Sequence, residues 1–139
     1  MASFALLFAV TIDCPDPANL ARFYLHFVGG HLHSSNPDYV VLTSGNNVRL
    51  DFQRVANRRS PPWPDRAAPR RLHLDFRVEN LWEAEQFLVS NGAELASQQP
   101  GGERFRVLLD PAGHPFCIAT DDAADVPTRD VEAARDDTL

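Results

Sequence analysis

The chain has 139 residues, 44% of them hydrophobic and 23% charged, with 13 basic against 19 acidic side chains and a formal net charge of −6. That length fits one domain, and that apolar content builds a core without disulfides or a structural metal. The acidic balance excludes a general nucleic-acid or anionic-membrane binder, and two cysteines, Cys14 and Cys117, exclude a disulfide framework and fit reduced thiols in the cytoplasm. The charge is uneven: residues 54–71 carry six arginines against Asp65 alone, and residues 121–139 carry seven acids against two arginines. The first 120 residues therefore hold only −1 of the total.

In chain order, Phe4–Val10 is an apolar run too short to cross a bilayer and with no basic leader, which predicts a buried strand. Strand-like alternation continues to Cys14. Asp16 then caps a helix that starts near Pro17, carries Leu20, Phe23, Tyr24 and Phe27 inward, and ends at Gly29-Gly30. A short strand over 31–33, a strand over 39–42, a turn at 44–47 and a strand around Leu50-Asp51-Phe52 follow. Residues 55–71, with Pro61, Pro62, Pro64 and Pro69, break regular structure and serve as a linker.

The same order then repeats, which is the most informative feature of the chain. Residues 9–24 lie over 73–88 at an offset of 64, and residues 39–52 over 105–118 at an offset of 66. The second copy reads as a strand over 72–78 and a helix capped by Asn80, with Leu81, Ala84, Phe87 and Leu88 inward and Gly92 at its end. Short strands then follow at 94–96, 105–108 and 116–118. Each half is strand–helix–strand–strand–strand. The predicted fold is therefore α+β, with two βαβββ modules (about 4–54 and 72–120) forming a curved mixed sheet, followed by an acidic, disordered tail over 121–139.

Strand alternation sorts side chains by face. His73, Asp75 and Arg77 oppose Leu72, Leu74, Phe76 and Val78; Arg49, Asp51 and Gln53 oppose Leu50 and Phe52; Pro115, Cys117 and Ala119 oppose Phe116 and Ile118. His73 with Asp75 two residues along suits general acid–base work near neutral pH, or the simpler task of orienting a ligand. Cys117 has no basic neighbour in sequence and reads as an inert, semi-buried thiol. His114 is either a rim residue or part of a turn. Trp63 among the linker arginines suits stacking on a planar or anionic ligand, or a solvated connection.

Four stretches in order, 13–17 (DCPDP), 61–65 (PPWPD), 72–75 (LHLD) and 110–117 (DPAGHPFC), together with the repeat, resemble the vicinal oxygen chelate superfamily. That superfamily includes glyoxalase I, bleomycin-resistance proteins and extradiol dioxygenases, and the likeness is greatest to its small glyoxalase-like subgroup. The resemblance covers residues 4–120. It implies a concave cleft lined by the polar sheet face, a homodimer, and a small organic molecule as ligand. That molecule is either acted on by a lyase, isomerase or oxygenase reaction, or sequestered without catalysis as in bleomycin resistance.

Metal-dependent relatives place four ligands at positions corresponding to Ala9, Asp51, His73 and Cys117. Ala9 cannot coordinate, and the alignment leaves Gln53 as an alternative to Asp51. The resemblance thus implies that no cofactor is needed. The other reading is a divalent ion on Asp51, His73 and Cys117, with zinc suited by the thiolate. With two of the usual donors changed, glyoxalase I activity itself is expected to be absent. His73 and Asp75 are the expected catalytic residues, and Asp51, Gln53, Cys117, Trp63 and Arg49 the expected ligand contacts.

Overall fold

A computed structural model describes residues 4–56 and 72–120. The predicted linker residues 57–71, with Trp63, and the acidic tail 121–139 lie outside the described residues. The chain divides between residues 58 and 59 into two compact units, one for each predicted module.

In the first unit, β1 (Val10–Cys14) leads into α1 (Pro17–Val28), then β2 (His31–Asn36), β3 (Tyr39–Thr43) and β4 (Arg49–Arg54). The sheet order is β1-β4-β3-β2, with β1 and β4 parallel and the other pairs antiparallel. The Asp16 carboxylate accepts from the Asn19 amide at 3.2 Å, and Pro17 sits in the first turn where its missing N–H costs nothing. The helix buries Leu20, Ala21, Phe23 and Tyr24 on the sheet. Tyr24 stacks on Phe52 with ring centroids 5.6 Å apart, and both rings are buried. Fully burying an apolar side chain of this size contributes about 1.5–3 kcal/mol. Gly29 and Gly30 end the helix with φ of 69° and 109°, in the left-handed region that glycine enters without strain.

The second unit repeats the plan with β5 (Leu74–Arg77), α2 (Leu81–Ser90), β6 (Glu94–Leu95), β7 (Phe105–Leu109) and β8 (Pro115–Ala119), in the order β5-β8-β7-β6. The Asn80 side chain accepts from the Glu83 amide at 2.9 Å, which is the predicted cap. Leu88 is buried with Leu108, Phe116 and Ile118 of one sheet face, while Val107 and Cys117 of the opposite face form a small buried cluster with Ala96, against which Phe105 packs. Gln99 ties the end of β6 to β7: its amide nitrogen donates to the Ala96 and Val107 carbonyls and its oxygen accepts from the Val107 amide. Among the described residues, no helix is long and apolar enough to cross a membrane.

Two expectations are corrected. The apolar run before Val10 is not a buried strand: Phe4, Leu6, Leu7 and Phe8 are exposed, and β1 begins only at Val10. The reason is register. Val10 pairs with Leu50 and β4 itself starts at Arg49, so residues upstream have no ladder partner in that sheet. In α2, Phe87 is exposed and Leu88 alone is fully buried, so this helix covers its sheet through a narrower stripe than α1 does.

Candidate functional site

The polar side chains expected to carry function fall into two groups of different character. In the first unit, Asp51 is buried in the middle of β4. Both of its oxygens are engaged: Oδ1 accepts from Arg49 Nε at 2.7 Å, and Oδ2 accepts from Arg49 Nη2 at 2.9 Å and from the Tyr39 hydroxyl. Burial pushes the Asp51 carboxyl up, but the Arg49 and Tyr39 hydrogen bonds and the Arg49 charge outweigh it and hold it below the ordinary carboxylate value. The same pairing, chiefly the hydrogen bond to Asp51, holds Arg49 above its ordinary value. The guanidinium also lies over the Phe8 ring, 5.4 Å from its centroid. Gln53 is exposed near the end of β4, and its backbone carbonyl accepts from the Cys14 thiol at 3.8 Å.

In the second unit, His73 lies just before β5 and Asp75 within it, two residues apart on one face. His73 Nε2 is 3.4 Å from Asp75 Oδ1, with the imidazole one-fifth exposed and the carboxylate mostly exposed. Asp75 is the register partner of Cys117 in the parallel β5–β8 pair. That pairing brings the thiol to the same place: one donor atom from each of His73, Asp75 and Cys117 lies within 4.8 Å of the others. Cys117 is 9% exposed and, among the described residues, is in no disulfide. The absence of a basic neighbour in sequence is thus made good by strand pairing.

His114 belongs to a turn. Asp110, buried, accepts from the Ala112 and His114 amides at 2.9 and 3.0 Å, and the His114 ring nitrogen closes the loop at 3.0 Å. Tyr39 was not among the expected site residues. Its part follows from the β3–β4 register, in which Val41 faces Asp51 and Tyr39 lies diagonally across the ladder.

The donor set that the resemblance carries onto this chain does not fit a metal ion as it stands. Ala9 offers no donor atom. Asp51 would have to release Arg49 and Tyr39 before it could coordinate a cation. Among the described residues, the trio His73, Asp75 and Cys117 is the group whose donor atoms converge.

Residues 9–119 match the family model of the Glyoxalase-like domain. No curated protein matches the chain. Among solved structures, it is similar to a glyoxalase/bleomycin resistance protein/dioxygenase family enzyme from Burkholderia phytofirmans, with a TM-score of 0.65 and 19% identity over 84% of this chain and 98% of that one. A glyoxalase-related enzyme from Fulvimarina pelagi has a TM-score of 0.59 and 20% identity over 84% of this chain and 88% of that one. A mutant of the fosfomycin resistance protein FosX from Listeria monocytogenes, solved with Mn(II) and a dihydroxypropylphosphonic acid, has a TM-score of 0.62 and 13% identity over 84% of this chain and 90% of that one. At these identities the likeness establishes the fold. The chain belongs to the glyoxalase-like domain family, and its fold is that of the glyoxalase/bleomycin resistance/dioxygenase structures.

Proposed function

We propose that this glyoxalase-like protein binds a small organic molecule at the face carrying His73, Asp75 and Cys117, and that His73, oriented by Asp75, transfers a proton on it. The observation that supports this reading is the convergence of imidazole, carboxylate and thiol within 4.8 Å, with the carboxylate reaching solvent. A histidine beside a carboxylate is equipped to accept a proton from carbon or oxygen and return it, which is the chemistry common to lyase and isomerase reactions. The Arg49–Asp51–Tyr39 group has the opposite character, because its carboxylate is buried and already engaged by Arg49 and Tyr39. Glutathione-dependent turnover of methylglyoxal is not part of this reading.

The test is a panel of small hydroxy acids, diols and phosphonates screened by amide chemical shifts. Binders are expected to move residues 73–77 and 115–119, and His73→Ala is expected to abolish any turnover found with them by at least a hundredfold, the usual scale for general acid–base catalysis. Binding with no turnover, unchanged in His73→Ala, would make the protein a sequestering binder. Shifts confined to β3 and β4 would refute the site.

A further inference from the structure

We propose, resting on the organic-ligand reading above, that the molecule taken at this face is an uncharged electrophile whose carbon–carbon double bond is conjugated to a carbonyl, and that Cys117 adds to it covalently. The starting point is the contrast between the two cysteines. Cys14, 2% exposed, sits on the face of β1 that carries Val10 and Ile12, and its thiol donates to the Gln53 backbone carbonyl. Cys117, 9% exposed, has donor atoms of His73 and Asp75 within 4.8 Å of its sulfur. A nucleophile beside a base that is itself oriented by a third group is the arrangement that activates a thiol. His73 is placed to take the thiol proton directly or through one water. Asp75 Oδ1, 3.4 Å from His73 Nε2, orients the ring and stabilises the imidazolium that forms.

The other side of the sulfur is apolar. Cys117 pairs with Val107 across the β7–β8 ladder and clusters with Ala96, and Phe105 packs against this group. The Phe105 ring is set so closely on Gly101 that a Cβ there would collide with it. The site therefore grades from a solvent-reaching carboxylate at Asp75 to an apolar wall at Val107 and Phe105. That gradient suits a molecule with a carbonyl at one end and hydrocarbon at the other, and both the wall and the carboxylate disfavour an anion. Polarizable sulfur is matched to the soft β-carbon of a conjugated carbonyl. In the addition the Cys117 S–H bond breaks as His73 takes the proton. The sulfur electron pair forms a C–S bond at the β-carbon, and the C=C π pair moves toward the carbonyl as an enolate. His73 then delivers the proton to the α-carbon. The adduct is protein plus the whole electrophile, and no oxidant or reductant takes part.

The chain contains no lysine, so lysine adducts do not mask addition at cysteine. Cyclohex-2-en-1-one is incubated with the folded protein at neutral pH, and intact mass with peptide mapping follows each cysteine separately. The expected result is one probe per chain at Cys117, added at least about tenfold faster than at Cys14, with the difference erased in urea. His73→Gln keeps side-chain bulk without a base and is expected to slow addition at Cys117 at least about tenfold, because an unaided cysteine is only about a few per cent thiolate at neutral pH. The comparison with Cys14 needs no variant, so it stays decisive if His73→Gln does not fold. Equal native rates at the two cysteines, or undiminished addition in natively folded His73→Gln, would overturn the proposal. Binding of hydroxy acids, diols or phosphonates at residues 73–77 and 115–119, with turnover but no Cys117 adduct, would overturn the covalent step and leave the proton-transfer reading standing. If no molecule moves those residues, the enone included, both fall.

Discussion

Replacing Asp51 by Asn separates two accounts of this residue by the sign of the effect. A buried carboxylate kept for a ligand would carry an uncompensated desolvation cost, and neutralising it would stabilise the fold. In the structure the carboxylate instead accepts two hydrogen bonds from Arg49 and one from Tyr39, so neutralising it should destabilise the first unit. Asn keeps one acceptor oxygen and turns an N–H₂ toward donors. With the oxygen kept at the Oδ2 position, the loss is about one charge-assisted bond plus the charge on the two bonds that survive. Hydrogen bonds to charged groups contribute about 1.5–3 kcal/mol each, and the Arg49 side chain, 37% exposed, recovers part of its loss from water, leaving about 2 kcal/mol. Trp82 lies on α2 of the second unit, so its fluorescence does not report this change. Amide hydrogen exchange does: opening of β1, β3 and β4 should accelerate roughly 30-fold, while β7 and β8 stay unchanged. The effect should also depend on pH. Because the folded value of Asp51 is depressed, its contribution is present above the ordinary carboxylate value of 3.8 and lost as pH falls through the folded value. Slower exchange in Asp51→Asn, or equal exchange at neutral pH, would refute this assignment.

Three further substitutions probe the frame around the sites. Gly30→Ala combines φ of 109° with a Cβ that would meet the Thr43 carbonyl oxygen at 1.9 Å, and should cost about 3 kcal/mol or more, read as a lowered first transition in thermal melting. Gln99→Leu strands the Ala96 carbonyl and the Val107 amide, while the Val107 carbonyl keeps the Ala96 amide, and should cost about 2 kcal/mol, read in urea unfolding of the second unit. Asp110→Ala should cost about 2–4 kcal/mol and expose the Ala112 and His114 amides to exchange, while Asp110→Asn keeps those caps and should recover most of the loss.

The repeat and its punctuation were legible in the sequence because they are local. Asp16 and Asn80 cap their helices, and glycines end the first helix and follow the second, as side-chain chemistry and φ preferences dictate. What was not legible depends on register. The apolar character of Phe4–Phe8 promises a strand, but a strand ends where its partner ends, and β4 starts at Arg49. Alternation put Asp75 and Cys117 on polar faces of separate strands, and only the pairing of β5 with β8 makes them neighbours. Arg49 and Asp51 share a face at a spacing of two, a visible hint of an ion pair, whereas Tyr39 needs the offset of β3 against β4. A mapping of ligand positions from one module to another tests residue type at a site, and cannot reveal that Asp51 is already paired.

The most direct test of the site assignment is a crystal structure of the protein isolated without chelator and soaked with the best binder from the screen. Electron density for the bound molecule is expected against His73 Nε2, Asp75 Oδ1 and Cys117 Sγ. A molecule seated instead against Arg49 and Asp51, with His73 covered by protein side chains, would contradict it.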